Sequence, residues 1–189
     1  MNRHQIDKGE TLTELLAQTD KILSTATSKW KLIPHHVFAS KPKPDGWSAN
    51  ECLQHLNSYG RYYLPQFEKS ILPGTSNMNQ FSTGWLGHYF TRLMKPQANG
   101  NIAKMNSPKN HRPTKMLDSH IVLAEFIDQQ EKLLQLLHKS GNADWNTRIP
   151  ISLTKMIKLK LGDVLLFYTA HQQRHCMQAE QALEVNGCG

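Results

Sequence analysis

No stretch of this chain is apolar for long enough to cross a bilayer. The longest run, residues 164–170, falls far short of the ~20 residues a membrane helix needs. The amino terminus, Met-Asn-Arg-His-Gln-Ile-Asp-Lys, lacks the apolar core of a secretory signal. Cysteine is scarce: Cys52, Cys176 and Cys188 are odd in number and widely spaced. That excludes a disulfide framework or a zinc ribbon and fits reduced thiols in a cytoplasmic protein. A Gly-rich phosphate loop, a serine nucleophile elbow and a Cys-x-x-Cys pair are all missing. The chemistries those motifs serve are disfavoured, but chemistry at a metal is not.

Acidic residues are absent over one long interval. Residues 69–117 hold no Asp or Glu, yet carry Lys69, Arg92, Lys95, Lys104, Lys109, Arg112 and Lys115. Those cations account for the whole net charge of +7, and the remainder of the chain balances at 15 of each sign. Such a run is a solvated loop, a rim that attracts an anionic small molecule, or a nucleic-acid contact. Phe81, Trp85, Tyr89 and Phe90 lie within it and can stack on bases, although aromatics at helical spacing more often pack.

The 189 residues suffice for one domain with a sizeable core. A first helix is expected over about 10–33, where Leu12, Leu15, Thr19, Ile22, Ala26, Trp30 and Ile33 form one stripe. Trp47-Ser48 opens a second, with Ser48 and Glu51 spaced as a capping box. Cys52, Leu56, Tyr59 and Tyr63 form its inward stripe, and Pro65 is expected to kink or shorten it. Periodicity is then lost over 72–114, save for a short helix at about 85–94, so a flexible basic connection is expected there. A third helix spans about 117–139, with His120, Leu123, Ile127, Gln130, Leu134 and Leu137 on one face and Gly141 as its stop. Residues 145–161 suit either a short strand or a helix start. A fourth helix runs from Gly162-Asp163, with Asp163 as cap, to about 184. The expected fold is all-α: a four-helix bundle with a long crossover between helices two and three.

The fourth helix carries the chemistry. Val164, Tyr168, His171, His175, Gln178 and Ala182 recur at bundle-seam spacing, so two histidines occupy positions that normally hold Leu or Ile. One turn apart on one face, they can bind a single ion. His55, on the flank of the second helix's buried face, makes a third ligand. Three imidazoles leave a tetrahedral ion one open position, the layout of a catalytic site. The competing reading is a set of core histidines satisfied by hydrogen bonds, since each unpaired polar group inside costs roughly 1–3 kcal/mol. The motif is not a zincin: Gln172 stands where that motif has a glutamate base. Gln178, Tyr59 and His120 are candidates to line a substrate cavity. Cys52 is a weak fourth-ligand candidate, and Cys176 reads as packing. His4, His35, His36, His88, His111 and His138 read as surface residues.

Trp47-Ser48, Glu51 and His55, followed by Leu161-Gly-Asp ahead of His171 and His175, resemble the DinB/YfiT-like metalloenzymes over most of the chain from residue 47 to 183. The resemblance implies a four-helix bundle with a long second connection and a divalent ion, zinc or nickel, on the three histidines. It also implies frequent homodimers and, for some relatives, transferase or isomerase chemistry with a low-molecular-weight thiol such as bacillithiol, mycothiol or glutathione. The expected activity is therefore a metal-dependent transferase, isomerase or hydrolase reaction in which the ion activates a water or thiol. The alternative is a non-catalytic binding or stress-response module that uses the basic 69–117 segment.

Overall fold

The computed structural model describes residues 4–72, 74, 76, 78–95, 106–114 and 117–187. Four long helices dominate: α1 (Lys8–Ser28), α3 (Ala49–Ser70), α5 (Ser119–Ser140) and α6 (Leu161–Val185), with short α2 (His35–Phe38) and α4 (Trp85–Met94) between them. Two antiparallel strand pairs flank the bundle, β1 (Gln5–Asp7) with β2 (Gln80–Ser82) and β3 (Arg148–Ile151) with β4 (Thr154–Lys160). The ambiguous 145–161 stretch is thus mostly a hairpin. Ile149 and Ile151 face the core, as alternation predicts, joined by Leu159 of β4, but Leu153, third in that alternation, is exposed in the turn between the strands.

Local chemistry accounts for the helix ends. Ser48 Oγ accepts from the Glu51 N–H at 3.1 Å, and Glu51 Oε2 accepts from the Ser48 N–H at 2.9 Å, completing the capping box of α3. Pro65 neither ends nor shortens α3. It lies on the exposed side, as does Arg61, whose carbonyl loses its helical donor to the proline. Asp163 corrects another expectation. Lys160 occupies the N-cap position of α6 without a side-chain cap, and Asp163, inside the first turn, accepts the Gly84 N–H at 3.0 and 3.1 Å. Its carboxylate therefore caps α4 from across the fold.

The bundle order follows from two apolar clusters separated by a polar layer. Leu15, Tyr63, Phe67, Leu133, Leu137, Leu165 and Tyr168 belong to one cluster; Ile22, Ala26, Leu53, Leu56, Phe126, Cys176 and Leu183 belong to the other. α1 and α6 run from the first cluster to the second, and α3 and α5 run back. The sense is up, down, down, up. The parallel neighbours α3 and α5 require a crossover, and residues 71–118 supply it. α1 packs on α5 and α6, as does α3, so α1 stands diagonal to α3. Between the clusters each helix buries polar groups: Thr19 on α1, His55 and Asn57 on α3, Gln129 and Gln130 on α5, and His171 and Gln172 on α6.

The crossover is not simply irregular. It contributes β2, and α4 packs along α6. The approach requires glycine at position 87, where a Cβ would stand 2.3 Å from Asp163 Cγ. Because Asp163 is buried and tied to Gly84, it cannot yield. Gly87→Ala should therefore destabilise the protein by about 1–3 kcal/mol, read as a lower urea midpoint at unchanged slope.

Candidate metal centre

The polar layer brings His55, His171 and His175 together. Each offers a ligand atom, and the three atoms lie within 4.8 Å of one another. The ring centroids form a near-equilateral triangle: 5.0 Å for His55–His171, 4.5 Å for His55–His175 and 4.7 Å for His171–His175. Helical geometry supplies two of them from adjacent turns of α6, and α3 packs antiparallel against that face to supply the third.

Hydrogen bonds decide which nitrogens are free. His55 Nδ1 lies 2.7 Å from the His111 carbonyl oxygen, which can only accept. The proton therefore sits on Nδ1, and Nε2 keeps its lone pair. His175 Nδ1 is likewise held by Gln178 Oε1 at 3.0 Å. Burial keeps all three rings neutral: it lowers His55 to about 4 and pushes His171 and His175 well below the ordinary histidine value. The neighbouring rings and the Arg174 charge push His171 and His175 the same way.

This donor set fits a divalent cation. Nε2 of His55 and Nε2 of His171 are 3.1 Å apart. Two nitrogens bound to one tetrahedral zinc at about 2.0–2.1 Å stand about 3.3 Å apart. A proton can bridge one pair of nitrogens; only a cation engages all three. Among the described residues, the cluster includes no carboxylate or thiol. Cys52 and Cys176 are buried in the second apolar cluster, where desolvation pushes both thiols up.

The histidines form one wall of a cavity of about 280 Å³. Tyr59, one turn after His55, is also in the lining, its ring 4.4 Å from that of His171. Phe90, Leu93 and Met94 of α4 enclose the cavity with Phe167 of α6. Trp47 stacks on His175 with ring centroids 5.8 Å apart, so the residue before the cap also shields the cluster. Gln178 reaches the site through His175 and does not line the cavity. His120 departs from expectation: it lies at the first turn of α5, is exposed, and its ring lies 6.3 Å from that of His35.

His111 departs the other way. It is buried, its carbonyl orients His55, its ring lies 3.9 Å from that of Tyr59, and its Nδ1 is 2.9 Å from Ser58 Oγ. It sits in a 3₁₀ turn, Lys109–His111, where no periodicity marks it. Arg174 was also overlooked, although its position three residues after His171 places it on the same helix face.

Among the described residues, the basic interval presents its charges outward. Lys69, Arg92, Lys95, Lys109 and Arg112 are exposed, while Lys104 and Lys115 lie outside the described residues. Of its aromatics, Phe81 packs on Trp145 and Phe90 on Phe167, which leaves Trp85 and Tyr89 exposed. A base-stacking surface made of all four is therefore not formed. No helix is long and apolar enough to cross a membrane among the described residues.

Fold and site together define a four-helix bundle with a buried three-histidine cluster facing a cavity. Residues 11–179 match the model of the DinB superfamily, and the chain belongs to that family. Among solved structures, the fold is similar to that of YfiT from Bacillus subtilis, described as a probable metal-dependent hydrolase with an unusual four-helix bundle topology. The two share 14% identity and a TM-score of 0.61, covering 100% of this chain and 94% of that one. At that identity the likeness concerns the fold. No curated protein matches the chain.

Proposed function

We propose that this protein is a divalent-metal-dependent enzyme acting on a small molecule, with hydrolase or thiol-dependent transferase or isomerase chemistry. The observation that supports it is the convergence of three neutral imidazoles on the wall of a largely apolar cavity. His55, His171 and His175 would hold the ion, zinc or nickel. When bound, the ion supplies a Lewis acid that lowers the pKa of a water or thiol at its open position.

The chain's own residues do the rest. The His111 carbonyl and Gln178 orient two of the imidazoles, as partners of metal-binding histidines usually do. Phe90, Leu93, Met94 and Phe167 limit water around the reacting groups. Glutamate, the base of zincins, is absent from the cavity wall, as is every other carboxylate among the described lining residues. Proteolysis by the zincin mechanism is therefore disfavoured.

The test compares zinc- or nickel-loaded protein with His55→Ala on activated aryl esters, and on an aryl halide with added glutathione. Turnover by the loaded wild type at least about a hundredfold above the variant in one assay supports the reading. Equal rates in both assays end it.

A further inference from the structure

Aromatic rings make up much of the cavity wall: Tyr59, Tyr63, Phe90 and Phe167 line it together with His171. Phe167 connects them. It stands one turn before His171 on α6, its ring 15° from parallel to that imidazole with centroids 5.7 Å apart. Phe90 meets Phe167 at 67° and 6.3 Å, and Tyr63 meets it at 65° and 6.4 Å. Tyr59 completes the circuit, 4.4 Å from His171 and 6.1 Å from Tyr63. Leu93, Met94, Leu159 and Val164 fill in between the rings. Leu153 marks the mouth: it lines the cavity, yet it is 56% exposed in the turn between β3 and β4.

We infer that the cavity takes a small uncharged molecule built on one aromatic ring, which lies against Phe90 and Phe167 and is covered at the mouth by Leu153. Aromatic pairs prefer edge-to-face and offset-stacked arrangements, and walls already set at both kinds of angle offer an entering ring both. Size fits as well. An apolar cavity of about 150 Å³ is enough for benzene, so about 280 Å³ leaves room for a ring and a short substituent. Charge is poorly served: no described lining residue is acidic, and Arg174, in the same lining, already has an interaction partner. An ion entering such a site gives up its water without compensation. The inference rests on the metal-enzyme reading for the end of the molecule that reacts at the three histidines, whereas recognition of the ring needs only the walls.

Calorimetric titration with benzyl alcohol, cyclohexylmethanol, benzylamine and benzoate at neutral pH tests this, using chelator-treated and zinc-loaded protein. The comparison of charge is read in the chelator-treated form, where no ion can attract benzoate. There, benzyl alcohol is expected to bind at least about tenfold more tightly than benzoate or the benzylammonium ion. Phe167→Leu keeps the wall apolar but removes a ring. It should weaken benzyl alcohol about two- to tenfold more than cyclohexylmethanol, the range of an aromatic pair beyond its buried area. Leu153→Ala, at an exposed position, should leave the melting temperature unchanged and weaken both alcohols by about threefold or more.

The inference is overturned if benzyl alcohol does not bind the wild type, or if either charged probe binds chelator-treated protein as tightly. It is also overturned if Phe167→Leu weakens the two alcohols equally, since the wall would then read bulk and not a ring. An affinity for both alcohols that Leu153→Ala leaves untouched overturns it too, and that variant decides the matter should Phe167→Leu fail to fold. Failure of the metal reading shows separately, as protein that takes up no zinc by elemental analysis. Such a protein could still show every preference for the ring, because those are read without the ion.

Discussion

In the His171→Ala variant, bound divalent metal falls from about one equivalent per chain to near zero, and chelator no longer changes the melting temperature. His171 Nε2 faces that of His55 at 3.1 Å, and its ring centroid lies 5.0 Å from that of His55 and 4.7 Å from that of His175. Removing it leaves two donors from different helices, too few for a closed site. In the wild type, metal that binds only the folded state stabilises it by about 2.7 kcal/mol at a hundredfold excess over Kd. For a chain of this length that is roughly 5–10 °C of melting temperature. Stripping the metal should lower the wild-type midpoint by that amount and leave His171→Ala unmoved. Elemental analysis and thermal melts before and after chelation give both readings. Equal metal content in the two proteins would remove the centre from the argument. So would a wild-type melt indifferent to chelator.

The long helices and their buried faces were legible because each repeats its apolar residues at the helical period. Leu15, Thr19, Ile22, Ala26 and Trp30 face inward along α1 and the turn that follows. His55, His171 and His175 were legible because they interrupt such stripes with polar rings. What lay in the crossover was much harder to read. His111 acts through its backbone carbonyl, a group every residue has, and nothing in its side chain announces that use. Asp163 resembled a cap for its own helix, and its local spacing was correct for one. Its actual donor, Gly84, is 79 positions away and is brought near only when α4 lies against α6. Local rules predict contacts within a turn; the crossover contacts depend on where the chain returns. His120 failed for a related reason: it continues the apolar stripe of α5 by spacing, but lies at its first turn, beyond the neighbouring helices' cover.

Metal-free protein should lose stability steeply as pH falls below 6.5. A histidine that is buried and neutral in the folded state but free to charge when unfolded binds more protons in the unfolded chain, so folding weakens on acidification. For His55, whose value drops from 6.5 to about 4, the loss is about 3 kcal/mol across that window. His171 and His175 shift the same way, and the three rings titrate as a coupled set. Asp163 runs against them. Burial raises its carboxyl from 3.8 to about 6, the Gly84 hydrogen bond only partly offsetting this, so it favours the folded state on the acid side and loses that advantage as pH rises through 6. Three rings outweigh one carboxyl, and the net slope is a loss. Urea unfolding at intervals between pH 7.5 and 4.5 should show it. Asp163→Asn, which removes the opposing group, should steepen the fall, and His55→Asn should flatten it. With zinc present the slope should steepen further, because protons must then displace the ion from its ligands. A flat profile in the metal-free wild type would mean that the rings take up protons as readily folded as unfolded, and a cluster that hydrated is not the dry donor set the site requires.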